Sequence, residues 1–105
     1  MAGYRFTPEP DSDLFEIWSY IAADNPDAAD RVEASIYDAC ATLAKSPMSG
    51  QARKEFTSRP VRFWTVQRFP NYLIVYRPDA RPLQIIRILH GMRDLKRILI
   101  GRTSS

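Results

Sequence analysis

Apolar positions recur along this chain with two different periods, helical before Gly50 and strand-like after it. Leu14, Ile17, Trp18 and Ile21 follow one another at i, i+3, i+4 and i+7, a single stripe that leaves Asp13, Glu16 and Ser19 off it and predicts a core-facing amphipathic helix. Its start is marked by Thr7-Pro8-Glu9-Pro10-Asp11: Thr7 can cap, Pro8 suits the first helical position, and the acids sit against the positive end of the helix dipole. Asp24-Asn25-Pro26-Asp27 breaks this helix and begins another, with Asn25 as cap and Pro26 in the first turn. Ala29, Val32, Ile36, Ala39, Cys40 and Leu43 form the second stripe, and the short connection predicts an antiparallel αα-hairpin in which Ala29 and Ala39 allow close approach. Ser46-Pro47-Met48-Ser49-Gly50 ends the second helix, and Gln51 to Ser58, polar and basic without a period, reads as a loop.

The second half is written in short β-branched and aromatic runs: Val61 to Val66, Tyr72 to Tyr76 and Leu83 to Leu89. Gln67 to Asn71 turns the first pair, and Pro78, Asp79 and Pro82 turn the second, so three consecutive strands form a meander. The last two runs are apolar at nearly every position, which predicts strands covered on both faces, with the helical hairpin as the obvious cover. Tyr4-Arg5-Phe6 reads as an edge strand, and the segment Leu95 to Ile100 after Gly91 as a short helical tail. The expectation is a single α+β domain over residues 1–105, an antiparallel sheet packed by an N-terminal αα-hairpin, in the order β-α-α-β-β-β with a short C-terminal helical tail.

Composition narrows the function classes. With 105 residues, 45% of them hydrophobic, there is material for one core and not two. No apolar stretch approaches the roughly 20 residues of a membrane span, and MAGYRFTPEP lacks the basic-then-apolar pattern of a signal peptide, so a cytoplasmic protein without a membrane partner is expected. A lone Cys40 and a lone His90 exclude an internal disulfide and a Cys/His metal cluster, so neither a metal nor a cofactor is expected. The charge is divided: residues 1 to 50 carry nine acids and three bases, residues 51 to 105 twelve bases and three acids. Either the sheet half addresses a polyanion or an acidic protein segment, or the halves attract each other in the fold; both can hold at once.

The helical hairpin ending in Ser46-Pro47 and Gly50, the Arg62-Phe63-Trp64 strand, the run Asn71-Tyr72-Leu73-Ile74-Val75-Tyr76-Arg77-Pro78 and the run Arg87-Ile88-Leu89-His90-Gly91-Met92-Arg93-Asp94-Leu95 together resemble the ParE branch of the RelE/ParE toxin superfamily. The resemblance extends from about Tyr4 to Ile100 and implies the toxin of a bacterial type II toxin-antitoxin module, of the kind associated with plasmid stabilisation. ParE-like members inhibit DNA gyrase by binding it, so the resemblance implies no catalytic residue. On that reading the basic and partly apolar tail, Arg93, Leu95, Lys96, Arg97, Ile98 and Leu99, addresses gyrase, unless Leu95, Ile98 and Leu99 simply dock on the core. The second partner implied is a cognate ParD-like antitoxin in a toxin-antitoxin hetero-oligomer, with Phe15 and Tyr20 on the helical hairpin and Arg62 and Arg77 on the sheet edge as its docks; Trp18 is expected in the core.

Other members of the superfamily are ribosome-dependent endoribonucleases, in which the ribose 2′-hydroxyl attacks the neighbouring phosphate. Such a site needs a proton acceptor, a proton donor and cations around the phosphate, roles open here to His90, Tyr76, Arg62 and Arg87. Strand parity speaks against it, because Arg87 and His90 are three apart on one strand and so point to opposite faces. His90 is then a structural residue whose ring hydrogen-bonds the turn around Arg93 and Asp94. Arg62, Arg68, Arg77, Arg87 and Arg93 offer guanidinium forks to phosphate, or equally a solvated face or a dock for acidic residues. A diverged member that retains only antitoxin binding is the third possibility.

Overall fold

The computed structural model describes residues 3–91 and Asp94. The elements are β1 (Tyr4–Phe6), α1 (Pro8–Ala22), α2 (Pro26–Lys45), β2 (Arg62–Thr65), β3 (Tyr72–Arg77) and β4 (Leu83–His90), with a single 3-10 turn at Pro47–Ser49 between α2 and β2. This is the expected α+β order; the expected helical tail, residues 95–100, lies outside the described residues.

Both helices begin at proline. Asn25 caps α2 by accepting from the Ala28 amide at 3.1 Å, as the sequence predicts. Thr7 precedes α1 without capping it. Its amide and its hydroxyl both donate to the Ile85 carbonyl oxygen, at 3.2 and 3.1 Å, so the side chain ties the start of α1 to the sheet. Trp18, expected in the core, is only half-buried, because its indole Nε1 donates to Asp30 Oδ1 at 2.9 Å and joins the two helices at their rim.

The sheet runs β1-β4-β3-β2. The β2-β3-β4 meander is antiparallel, while β1 joins the edge of β4 in parallel, Tyr4 opposite Leu83 and Phe6 opposite Ile85. A bulge interrupts the β3-β4 ladder: the register steps from Val75 opposite Arg87 to Tyr76 opposite Ile85, and Ile86 has no counterpart. Side-chain parity therefore flips within β4, so that Ile85 and Ile88, three apart, both lie in the cluster packed by the helices. That cluster unites Leu14, Ile17, Val32, Ile36, Cys40 and Leu43 with Ile74, Tyr76, Leu83, Ile85 and Ile88. Burial of each large aliphatic side chain contributes about 1.5–3 kcal/mol, which is what holds the hairpin on the sheet.

The helices cover only one face. Leu73, Val75 and Leu89 alternate with the helix-facing residues and form a second cluster with Val61 and Phe63, against which Phe56 and Ile86 pack. The apolar runs thus are buried on both sides, as their patterning requires, but the second cover includes a side chain of the loop that precedes β2. Gln51 in this loop exchanges two backbone hydrogen bonds with Phe63, at 2.9 and 2.8 Å, and so shields the outer edge of β2.

Candidate functional site

Asp13, off the apolar stripe by sequence, is buried in the structure, and the reason is a charge partner from the other end of the chain. Arg87 Nε donates to Asp13 Oδ2 at 2.7 Å and Arg87 Nη2 to Oδ1 at 3.0 Å, a two-pronged pair. Asp13 Oδ2 also accepts the Ile88 amide at 3.0 Å. The geometry follows from the sheet: β1 covers the edge of β4 only as far as Ile85, and the carboxylate on α1 satisfies the amide beyond. The hydrogen bonding to Asp13 is the main cause that holds the Arg87 guanidinium above its ordinary pKa, against desolvation and with help from the Asp13, Asp94 and Glu9 charges.

This pair forms one wall of a cleft of about 440 Å³ between α1 and β4, lined also by Glu16, Tyr20, Tyr72, His90 and Asp94. Strand parity predicted Arg87 and His90 apart; the cleft has both in its walls, because Arg87 reaches round the open edge of β4 to Asp13. The ring of His90 meets Tyr72 edge-on, centroids 5.6 Å apart. The His90 amide donates to Asp94 Oδ2 at 2.6 Å, so the backbone of His90 holds Asp94. The buried ring Nδ1 has no hydrogen-bond partner among the described residues.

Tyr76 and Arg62 stand elsewhere, around Gly50. The Tyr76 hydroxyl donates to the Pro47 carbonyl at 2.7 Å and accepts the Gly50 amide at 2.8 Å, while Arg62 Nη1 donates to the Gly50 carbonyl at 2.6 Å. A Cβ on Gly50 would fall 2.5 Å from the Tyr76 hydroxyl and 2.8 Å from the Phe63 carbonyl, so the approach needs glycine. Burial pushes the Tyr76 phenol up, partly offset by the Gly50 hydrogen bond and the Arg62 charge. Of the four residues suited to nuclease chemistry, two share the α1-β4 cleft and two share the Gly50 junction.

Phe15 and Tyr20 are 69% and 82% exposed on α1, large side chains open to a partner. Arg77 is exposed beside Asp79, 3.9 Å away, and Arg68 lies at the β2-β3 turn near Asp38 and Trp64. Arg62, Arg68, Arg77 and Arg87, taken together by sequence, are therefore dispersed. The tail residues Arg93, Leu95, Lys96, Arg97, Ile98 and Leu99 lie outside the described residues. A denser basic group was missed, Arg53, Lys54, Arg59 and Arg81 around Arg62; three cations within 53–59 were the available signal.

Taken together, a helical hairpin laid on one face of a four-stranded sheet, with its reactive-looking side chains divided and large aromatics exposed, defines a small surface-presenting domain. Over residues 4–95 the chain matches the family described as the ParE toxin of the type II toxin-antitoxin system parDE. It is 34% identical over 86 residues to Y4kP of Sinorhizobium fredii, designated a candidate toxin, covering 82% of this chain and 84% of that protein. Its fold matches a chain of the chromosomal ParDE TA system from P. aeruginosa with a TM-score of 0.69 and 22% identity, over 84% of this chain and 94% of the other. The chain belongs to the ParE toxin family of type II toxin-antitoxin modules.

Proposed function

We propose that this ParE-type toxin acts by binding and inhibiting DNA gyrase, without catalysis of its own, and that a ParD-like antitoxin neutralises it in a hetero-oligomeric complex. The observation that carries the reading is the division of the nuclease candidates. Tyr76 spends its hydroxyl on Pro47 and Gly50, and with Arg62 it stands apart from the cleft of Arg87 and His90, while Arg87 turns Nε and Nη2 on Asp13, so the four do not converge on one phosphate. The P. aeruginosa neighbour is described as a ParDE system, which supports an antitoxin partner. The exposed Phe15 and Tyr20 supply apolar anchors for its folding segment, and Arg62 and Arg77 supply charge for its acidic residues. The tail residues Arg93, Leu95, Lys96, Arg97, Ile98 and Leu99 are proposed as the gyrase-binding segment.

The test is to add the purified chain to gyrase with supercoiled DNA, and separately to translating ribosomes with a defined mRNA. Covalently trapped DNA breaks with gyrase, unchanged in His90→Ala, are expected, with no cuts in the mRNA. Transcript cleavage that disappears in His90→Ala would instead establish the endoribonuclease.

A further inference from the structure

The loop before β2 and the turn between β3 and β4 enclose a cleft of about 530 Å³ of which the gyrase and antitoxin readings use only Arg62. Its walls carry Arg53, Lys54, Arg59, Arg62 and Arg81 against the single acid Asp79. Three of the arginines are already oriented. Arg62 Nη1 is held by the Gly50 carbonyl at 2.6 Å, Arg81 Nη1 by the Pro78 and Ala80 carbonyls at 2.8 Å each, and Arg53 lies over the Phe56 ring at 5.1 Å with Nε 3.6 Å from Glu55. A guanidinium has five N–H donors, so arginines anchored through one nitrogen keep the rest of the fork for a ligand at reduced entropic cost. Lys54 and Arg59 are exposed and form no ion pair among the described residues.

The lining chooses between anionic ligands. An acidic partner helix would need a row of apolar anchors, and the only large exposed hydrophobic in the lining is Met48. Phosphate oxygens need forks and hydroxyls, and the cleft adds Thr57 and Ser58 to its cations. We infer that this cleft binds the phosphodiester backbone of nucleic acid, with Lys54, Arg59 and Arg81 contacting successive phosphates and Arg53 and Arg62 supporting them. The inference goes beyond gyrase inhibition and does not depend on it, since the toxin touches the nucleic acid directly.

The experiment contains no gyrase, so the two readings fail separately. Fluorescence anisotropy of labelled duplex DNA, single-stranded DNA and single-stranded RNA is measured with the chain over a range of salt concentrations. Expected is binding with a log K against log salt slope of about −0.9 per phosphate contacted, near −3 on duplex DNA if three cations engage. Lys54→Gln/Arg59→Gln, which disturbs none of the anchoring contacts, should weaken binding by more than about tenfold at 0.1 M salt and flatten the slope by about 1.8. The charge-matched Arg5→Gln/Arg31→Gln, away from the cleft, should leave it nearly unchanged; circular dichroism checks that both variants fold. Equal losses in the two double variants would make the binding diffuse and overturn the inference. So would the absence of salt-dependent binding, or polyglutamate binding more tightly than an oligonucleotide of equal charge.

Discussion

Removing the Asp13 carboxylate is the sharpest test of how the acidic half is fastened to the basic half. Asp13→Ala deletes three acceptor contacts at once: two from Arg87 and one from the Ile88 amide, whose residue is 1% exposed. A buried amide left without an acceptor costs about 1–3 kcal/mol. The ion pair adds less, because the Arg87 side chain is 44% exposed and water recovers much of its charge; a fraction of a kcal/mol, about 0.5, is appropriate after screening. The sum is about 1.5–3.5 kcal/mol, a large share of the roughly 5–15 kcal/mol typical of a domain. Arg87→Met should cost less, about 1–2 kcal/mol, because Asp13 keeps the Ile88 amide while its charge goes unpaired. Urea unfolding followed through Trp18 and Trp64 reads these as shifts of midpoint at constant slope. In the double variant the two losses should fall short of additive, since both remove the same pair. A cost below about 0.5 kcal/mol for Asp13→Ala, or strict additivity with Arg87→Met, would refute the reasoning.

Three further outcomes follow from the geometry. Tyr76→Phe leaves the Pro47 carbonyl and the Gly50 amide without the hydroxyl and should cost about 1–3 kcal/mol, and Gly50→Ala, which drives a methyl into that hydroxyl and the Phe63 carbonyl, at least as much, both measured by thermal unfolding. Burial pushes the Cys40 thiol from its ordinary 9.0 up to about 12 and raises the Tyr4, Tyr37 and Tyr76 phenols above 10.0. Each of these groups holds its proton more tightly when folded, so its contribution is complete below the unfolded-state pKa and is lost as pH climbs through the folded one; the melting midpoint should stay level up to about pH 9 and fall above it, while Cys40 reacts with a thiol reagent only after unfolding. Phe15→Ala and Tyr20→Ala should shift stability by no more than about 0.5 kcal/mol, given their exposure, while weakening antitoxin binding in calorimetric titration.

The element order was legible because hydrophobic period and proline placement are local properties. The stripes from Leu14 to Ile21 and from Ala29 to Leu43, the Asn25 cap and the three-strand meander all stand where the sequence puts them. What escaped was long-range. The burial of Asp13 depends on Arg87, 74 positions away. The Thr7 hydroxyl, competent as a cap, is drawn to the Ile85 carbonyl 78 positions on. The parity argument for Arg87 and His90 was sound within the strand, but a long side chain at an uncovered edge is not confined to one face. A hydroxyl with two backbone partners, as at Tyr76, has no sequence signature at all, whereas the cations at 53–59 were in plain view and went unused because the loop showed no period.

The parallel pairing of β1 with β4 has a bearing on synthesis. Tyr4 is made 79 positions ahead of Leu83, yet they are neighbours in the finished sheet, so β1 must wait for all the intervening polypeptide before it can dock. A ribosome-bound fragment ending before residue 83 lacks both this partner and Arg87. The native sheet is thereby deferred until β4 has been made, well after the helical hairpin, so α1 and α2 must wait uncovered for the surface they pack on.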